Sequence, residues 1–188
     1  HKFDEIKQPK SGNYILIPRV SSERRQYVPI DFLSSEVICT DRNQLIPNGT
    51  LYEFGILNSK THNEWMRLVT GRLKSDYNYS GTIVYNTFPF PNVTDEQKNN
   101  IENLAEEILL VRASNVGMTL AELYDPDKMP EDLKLAHSTL DEAVDKLYRP
   151  QGFANTEERL AHLLVRYEQL IEAEQQSKGN KKGQKKSK

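Results

Sequence analysis

Apolar positions change their spacing partway along the chain, and the change divides it in two. In the first third they come in short runs: Tyr14–Ile17, Tyr27–Ile30, Val37–Cys39 and Leu51–Ile56. Runs this short, rich in β-branched and aromatic residues and bounded by polar or Pro/Gly clusters, predict strands. They fall at Asn13–Arg19, Gln26–Ile30, Glu36–Thr40 and Thr50–Ile56, with a polar connection at Val20–Arg25 and a turn at Asp41–Gly49. A helix follows, because Trp65, Leu68 and Val69 share one face. Thr61 with Glu64 three residues on forms a capping box, placing its start at Asn58–Thr61. Ser75–Gly81 then predicts a polar turn, and Thr82–Phe88 a strand closed by Pro89 and Pro91.

Beyond Asn92 the spacing becomes helical. Thr94 with Gln97, Thr119 with Glu122 and Asn155 with Glu158 predict helix starts, and Pro130 suits a first helical position. The stripes expected inside are Ile101, Leu104, Ala105, Ile108 and Leu109; Leu133, Leu140, Val144 and Leu147; and Leu160, Leu163, Leu164, Tyr167, Leu170 and Ile171. Such helices bury their stripes against one another or against a sheet. The expected fold is α+β: a small twisted mixed or antiparallel sheet with a helix, followed by a helical C-terminal domain. The expected boundaries are 1–12, a linker from an upstream domain; 13–92, the sheet domain; 93–176, the helical domain; and 177–188, a basic tail expected to be disordered.

Charge sharpens this division. The formal net charge is −2, yet residues 1–92 carry 11 Lys and Arg against 9 Asp and Glu, residues 93–176 carry 8 against 18, and residues 177–188 carry 6 Lys and no acid. A nucleic-acid surface therefore belongs in the first half or the tail, since the acidic middle repels phosphate. The single cysteine, Cys39, makes no internal disulfide, and no Cys/His spacing suits zinc. Together with the absence of any long apolar run, this points to a cytoplasmic protein. Asn48, Asn78 and Asn92 open sequons that read as turns and caps. A first residue of His1 is expected of a piece of a longer protein.

The chain lacks the Asn/Asp-Pro-Pro-Tyr/Phe run of amino-methyltransferases; Asn86-Thr-Phe-Pro89 has no paired prolines. No glycine-rich loop and no nuclease pattern appear, and His62, His137 and His162 are expected at surfaces or on helix faces. DNA recognition, by contrast, needs cationic and amide side chains. Arg19, Arg24, Arg25, Lys60, Arg67, Arg72 and Lys74 supply the first; Asn58, Asn63, Asn78 and Asn86 supply the second. The plainer reading of each is a solvated charge or a turn residue, with Arg72 and Asp76 pairing to fix the turn and Trp65 and Phe88 in the core.

Three blocks carry a resemblance: YILIPRVSSERRQYVPIDFL, GRLKSDYNYS followed by VYNTFPFP, and LAELYDPDKMPEDLKLAHSTLDEAVDKLYR. Over roughly residues 13–175 the chain resembles the target recognition domain and helical C-terminal domain of MmeI-like type IIG/IIL restriction–modification enzymes and related class I DNA methyltransferases. The resemblance implies that 13–92 is the target recognition domain. It implies a DNA sequence recognition fragment of a bacterial S-adenosylmethionine-dependent DNA (adenine-N6) methyltransferase, binding double-stranded DNA beside an upstream methyltransferase domain of the same polypeptide. The fragment itself would hold no cofactor and have no catalytic residue; the parent would use S-adenosylmethionine. Residues between the shared blocks would read bases: Asn58, Ser59, Lys60, His62, Ser22 and Glu23. Arg19, Arg24, Arg25, Arg72, Lys74, Tyr77 and Asn86 would hold the DNA backbone or scaffold the fold. The rival readings are a protein-interaction module built on the helices, and a stand-alone nuclease with scattered acidic ligands.

Overall fold

The structure, a computed structural model, describes residues 9–184, and the side chains of residues 9–176. The first sheet has β1 (Asn13–Pro18) at its centre, antiparallel to β3 (Asp31–Ser34) and to β4 (Asn43–Pro47). Ile15 faces Phe32 on one side and Ile46 on the other. The second sheet is also antiparallel, in the order β2 (Val20–Ser21), β6 (Asp76–Asn78), β5 (Gly71–Leu73). The α+β class holds, with two small antiparallel sheets where one was expected.

Four expected strands are absent, each for a local reason. Thr50–Ile56 is helical: α1 (Leu51–Asn58) starts from a capping box between Thr50 and Glu53, whose side chain accepts from the Thr50 N–H at 2.8 Å. The alternation of Tyr52, Phe54 and Ile56 mimicked a strand. Gln26–Ile30 pairs with no strand, because Pro29 interrupts it. Side chains satisfy its backbone instead: Asn63 Oδ1 accepts from Val28 N at 2.8 Å, Arg67 donates to the Arg25 and Gln26 carbonyls, and Arg112 donates to the Ile30 carbonyl at 2.9 Å. Glu36–Thr40 is a loop with Val37 and Ile38 exposed, while β4 occupies the stretch expected to be a turn. Thr82–Phe88 is no strand either; Gly81–Tyr85 forms one turn of π-helix.

α2 (Lys60–Val69) follows α1 almost directly, with Ser59 as its N-cap in place of the expected Thr61. Thr61 and Glu64 are interior groups. Thr61 Oγ1 donates to Asp145 at 2.6 Å, and Glu64 accepts from Arg159 at 2.8 Å. The helical half comprises α3 (Asp95–Ser114), α4 (Leu120–Leu123), α5 (Glu131–Tyr148) and α6 (Thr156–Gln184). The capping boxes at Thr94 and Thr119 form as expected, and Asn155 Oδ1 accepts from Glu158 N at 2.8 Å. Pro130 sits one position earlier than expected, as the N-cap of α5. The α6 backbone is helical from Ser177 to Gln184, where disorder was expected; residues 185–188 lie outside the described residues, as do residues 1–8 of the expected linker.

One apolar core runs through both halves. α1 is its hinge: Phe54, Ile56 and Leu57 are fully buried, and a Cβ on Gly55 would lie 2.8 Å from Ile101 Cγ2 and 3.2 Å from Ala105 Cβ. That close approach sets α1 against α3.

Candidate nucleic-acid interface

The turn between α1 and α2, expected as an exposed reading loop, is interior. Asn58 and Ser59 have 0% exposure and His62 has 1%. Because α1 is a helix, position 58 faces the core rather than the rim. Asn58 Nδ2 donates to the Phe54 carbonyl at 2.8 Å, and its Oδ1 accepts from Arg112 at 3.1 Å. Ser59 Oγ donates to the Ile56 carbonyl at 2.6 Å and accepts from His62 N. His62 Nδ1 lies 2.9 Å from the Leu57 carbonyl, and its Nε2 lies 3.2 Å from the Tyr79 hydroxyl. A carbonyl only accepts, so this geometry assigns the proton to Nδ1 and makes Nε2 the acceptor from Tyr79. Burial lowers the His62 pKa to about 4, so the ring is neutral at pH 7. Asn58, Ser59 and His62 are thus interior groups, not members of an exposed loop. His137 is buried too, contrary to expectation, and stacks on Tyr27 at 4.1 Å.

Lys60 uses its backbone N–H on Asp141 Oδ1 at 2.6 Å, and Tyr27 donates its hydroxyl to Asp141 Oδ2 at 2.7 Å. Its side chain is half exposed and lines a cavity of about 350 Å³ with Lys134, Asp141, Glu142, Asp145 and Arg159. Burial raises the Asp141 pKa to about 7. The cavity does not suit the nucleoside of S-adenosylmethionine. Its wall is charged, Arg159 is already paired with Glu64 and Asp145, and its Tyr27 ring is stacked on His137.

The solvent-facing chemistry of the first half gathers on the second sheet. Directly opposed residues of an antiparallel pair share a face. Ser21, Tyr77 and Arg72 are opposed, and this is the inner face: Ser21 and Tyr77 are buried, and Arg72 lies over the Tyr77 ring at 4.2 Å. Arg72 also donates to the Ser75 carbonyl at 2.8 Å and pairs with Glu23 at 3.0 Å, rather than with Asp76. Tyr77 therefore packs beneath the Arg72 guanidinium, and Glu23 is tied to Arg72.

The outer face carries Val20, Asn78 and Gly71 in one row, with Leu73 opposite Asp76 in the next. Val20 is 42% exposed and Leu73 56%, and Asn78 is exposed beside a glycine that a Cβ would leave in open space. Lys74 turns the hairpin with φ 57°, the positive φ that tight hairpin turns require. Arg19 and Lys74 are exposed at the two ends of this face. Arg24 stands nearby in an exposed pair with Asp127 at 2.5 Å, the kind of surface pair worth about 0–1 kcal/mol. The Ser22 carbonyl accepts from Arg25 N at 3.2 Å, so Ser22 shapes the bend, and half-buried Arg25 belongs to the Arg67 contact. Asn86 is exposed and ends the π-helical turn. The strands too short to be read as such hid this face; the clue was GRLKSDYNYS itself, with a basic tip and an alternating Asp76, Asn78 pair.

Among the described residues no cluster of His, Cys, Asp or Glu is placed to hold a metal, and no helix is long and apolar enough to cross a membrane. The second sheet thus turns an amide, a carboxylate and flanking cations outward, beside an acidic helical half. Residues 1–92 match the model of the MmeI target recognition domain and residues 93–173 that of the MmeI C-terminal domain. The chain belongs to the MmeI family. It is 44% identical over 164 residues to DNA methyltransferase A of Bacillus subtilis (strain 168), covering 87% of this chain and 18% of that protein. It also superposes with a TM-score of 0.86 and 43% identity on a solved structure of the type IIL restriction–modification enzyme MmeI in complex with DNA, over 91% of this chain and 23% of that one. The chain thus spans less than a quarter of either relative.

Proposed function

We propose that this chain is the DNA-recognition portion of a bacterial S-adenosylmethionine-dependent DNA (adenine-N6) methyltransferase of the type IIG/IIL restriction–modification kind. It binds double-stranded DNA and positions the target for an upstream methyltransferase domain of the same polypeptide, which would hold S-adenosylmethionine. Residues 13–92 make the target recognition domain and residues 93–176 its helical support. The observation that carries the reading is the outer face of the second sheet. A β-ribbon is narrow enough for the roughly 12 Å major groove. Asn78 there offers both a donor and an acceptor, which suits adenine, and Asp76 offers an acceptor, which suits the cytosine amine. Leu73 and Val20 offer apolar contact to a thymine methyl. Arg19, Arg24 and Lys74 are free to exchange water or a weak surface pair for phosphate. Base reading thus moves from the α1–α2 turn to the hairpin.

The test is the salt dependence of duplex binding by the chain. Affinity should fall linearly on a log–log plot against salt, and Lys74→Ala should reduce the slope by about 1. Binding that is absent, or indifferent to salt, leaves the protein-interaction module as the better reading.

A further inference from the structure

A second exposed surface lies around the contact between Trp65 and Tyr167. The two rings meet edge-on at 5.6 Å, and the Trp65 Nε1–H donates to Thr87 Oγ1, which in turn donates to the Ile83 carbonyl. This contact joins α2, the π-helical turn and α6. Large apolar side chains cluster within one helical turn, or one of these hydrogen bonds, of it. Leu68 is three residues beyond Trp65, and Leu164, Leu170 and Ile171 are three before, three after and four after Tyr167. They are 46%, 42%, 50% and 37% exposed, and Ile83 is 49% exposed. Isolated exposed leucines are ordinary, but these five are carried by three segments that meet at one buried tryptophan, an arrangement of the kind that marks an interface. α6 strengthens the point. Its stripe, expected inside throughout, packs inward at Leu163 but leaves Leu164, Leu170 and Ile171 exposed.

We propose that this patch docks the methyltransferase portion of the same polypeptide, an inference that rests on the function proposed above. DNA does not fit here. The patch is apolar, α6 brings Glu168, Glu172 and Glu174 alongside it, and residues 93–176 carry 8 Lys and Arg against 18 Asp and Glu. The curated and solved relatives are several times longer, with this chain covering 18% and 23% of them, so ample chain exists to cover it. The patch also spans both halves of the chain: Leu68 and Ile83 come from the first, and Leu164, Leu170 and Ile171 from the second. A domain seated on it would fix the reading sheet and the helical half together, and so hold the ribbon at a set distance from the reacting base.

The experiment compares hydrogen exchange in the isolated chain with exchange in the polypeptide encoded by the whole reading frame, both without DNA. Peptides containing Leu68, Ile83 and Leu164–Ile171 should exchange more slowly in the whole polypeptide. The double variant Leu170→Ser, Ile171→Ser should lose that protection there while leaving the isolated chain's melting temperature unchanged. Equal exchange in the two settings would overturn the proposal. So would protection that appears only on adding DNA, or a concentration-dependent dimer of the isolated chain that the double variant abolishes. A reading frame with no Asn/Asp-Pro-Pro-Tyr/Phe motif would instead sink the proposed function itself, and is visible before any exchange is measured.

Discussion

At the scale of single residues, buried polar groups tie the two halves of the chain together. Arg112 is 8% exposed and donates to the Ile30 carbonyl, Asn58 Oδ1 and the Tyr124 hydroxyl, so it binds the first half to the second. Arg159 does the same between Glu64 and Asp145. Arg159→Met should destabilise the fold by about 3–5 kcal/mol, because it leaves buried Asp145 without its cation and Glu64 with only the more distant Lys60 at 3.9 Å; a urea midpoint that barely moves would contradict this. Titration offers a second check. In the folded state His62 and His137 have pKa values lowered by burial to about 4 and about 3, and Asp141 is raised by burial to about 7. Between pH 5 and 6 the unfolded chain therefore binds the two imidazole protons that the folded chain refuses, and lacks the one that Asp141 keeps. The histidine contribution to stability is fully present above pH 6.5 and is lost on acidification; the Asp141 contribution runs the other way and is lost as pH rises through 7. The histidines outnumber the aspartate, so stability should fall on acidification through this window by about 1.4 kcal/mol per pH unit. His62→Gln should make the fall shallower. Chemical denaturation at pH 5 and pH 6 reads both slopes.

Among the elements, α1 decides the architecture. Gly55→Ala adds about 1 kcal/mol of helix propensity, yet its Cβ would meet Ile101 Cγ2 at 2.8 Å and approach the Ile101 carbonyl at 3.3 Å. We expect a net loss of about 1–2 kcal/mol from overpacking, measured as a lowered melting temperature; a more stable variant would show that α1 and α3 separate freely. Thr50→Ala should cost about 1 kcal/mol through its capping box. The helical half was legible because its stripes are long and its caps carry the Thr-x-x-Glu/Gln signal. The sheet half was legible only at β1. In Thr50–Ile56 a strand-like alternation outweighed an equally present Thr50–Glu53 box, and at Thr61 the same spacing marked no cap at all. Residues 27–30 are buried as a strand would be, but the partners of this stretch are Asn63, Arg67 and Arg112, far along the chain. Short-range pattern carries no signal for such long-range side-chain pairing. The outer face of the second sheet stayed hidden for a related reason: strands of two and three residues are too short to show a period.

In the whole molecule, the two halves share one core and divide the surface between them. The sheet half presents cations at Arg19, Arg24 and Lys74; the helical half presents carboxylates and steers phosphate away from itself. That division was legible in the charge count, and the family in the three sequence blocks. Which side chains stand on the outer face was not, because it depends on which face of the hairpin Tyr77 buries. The most direct measurement is a genome-wide map of methylated sites made by the whole polypeptide carrying Asn78→Ala, Asp76→Ala or Lys60→Ala. The account predicts that each hairpin variant relaxes or changes one position of the motif, with a loss of about 1–3 kcal/mol at the base read, and that Lys60→Ala leaves the motif as it was. A motif unchanged in both hairpin variants, or altered by Lys60→Ala, would contradict it.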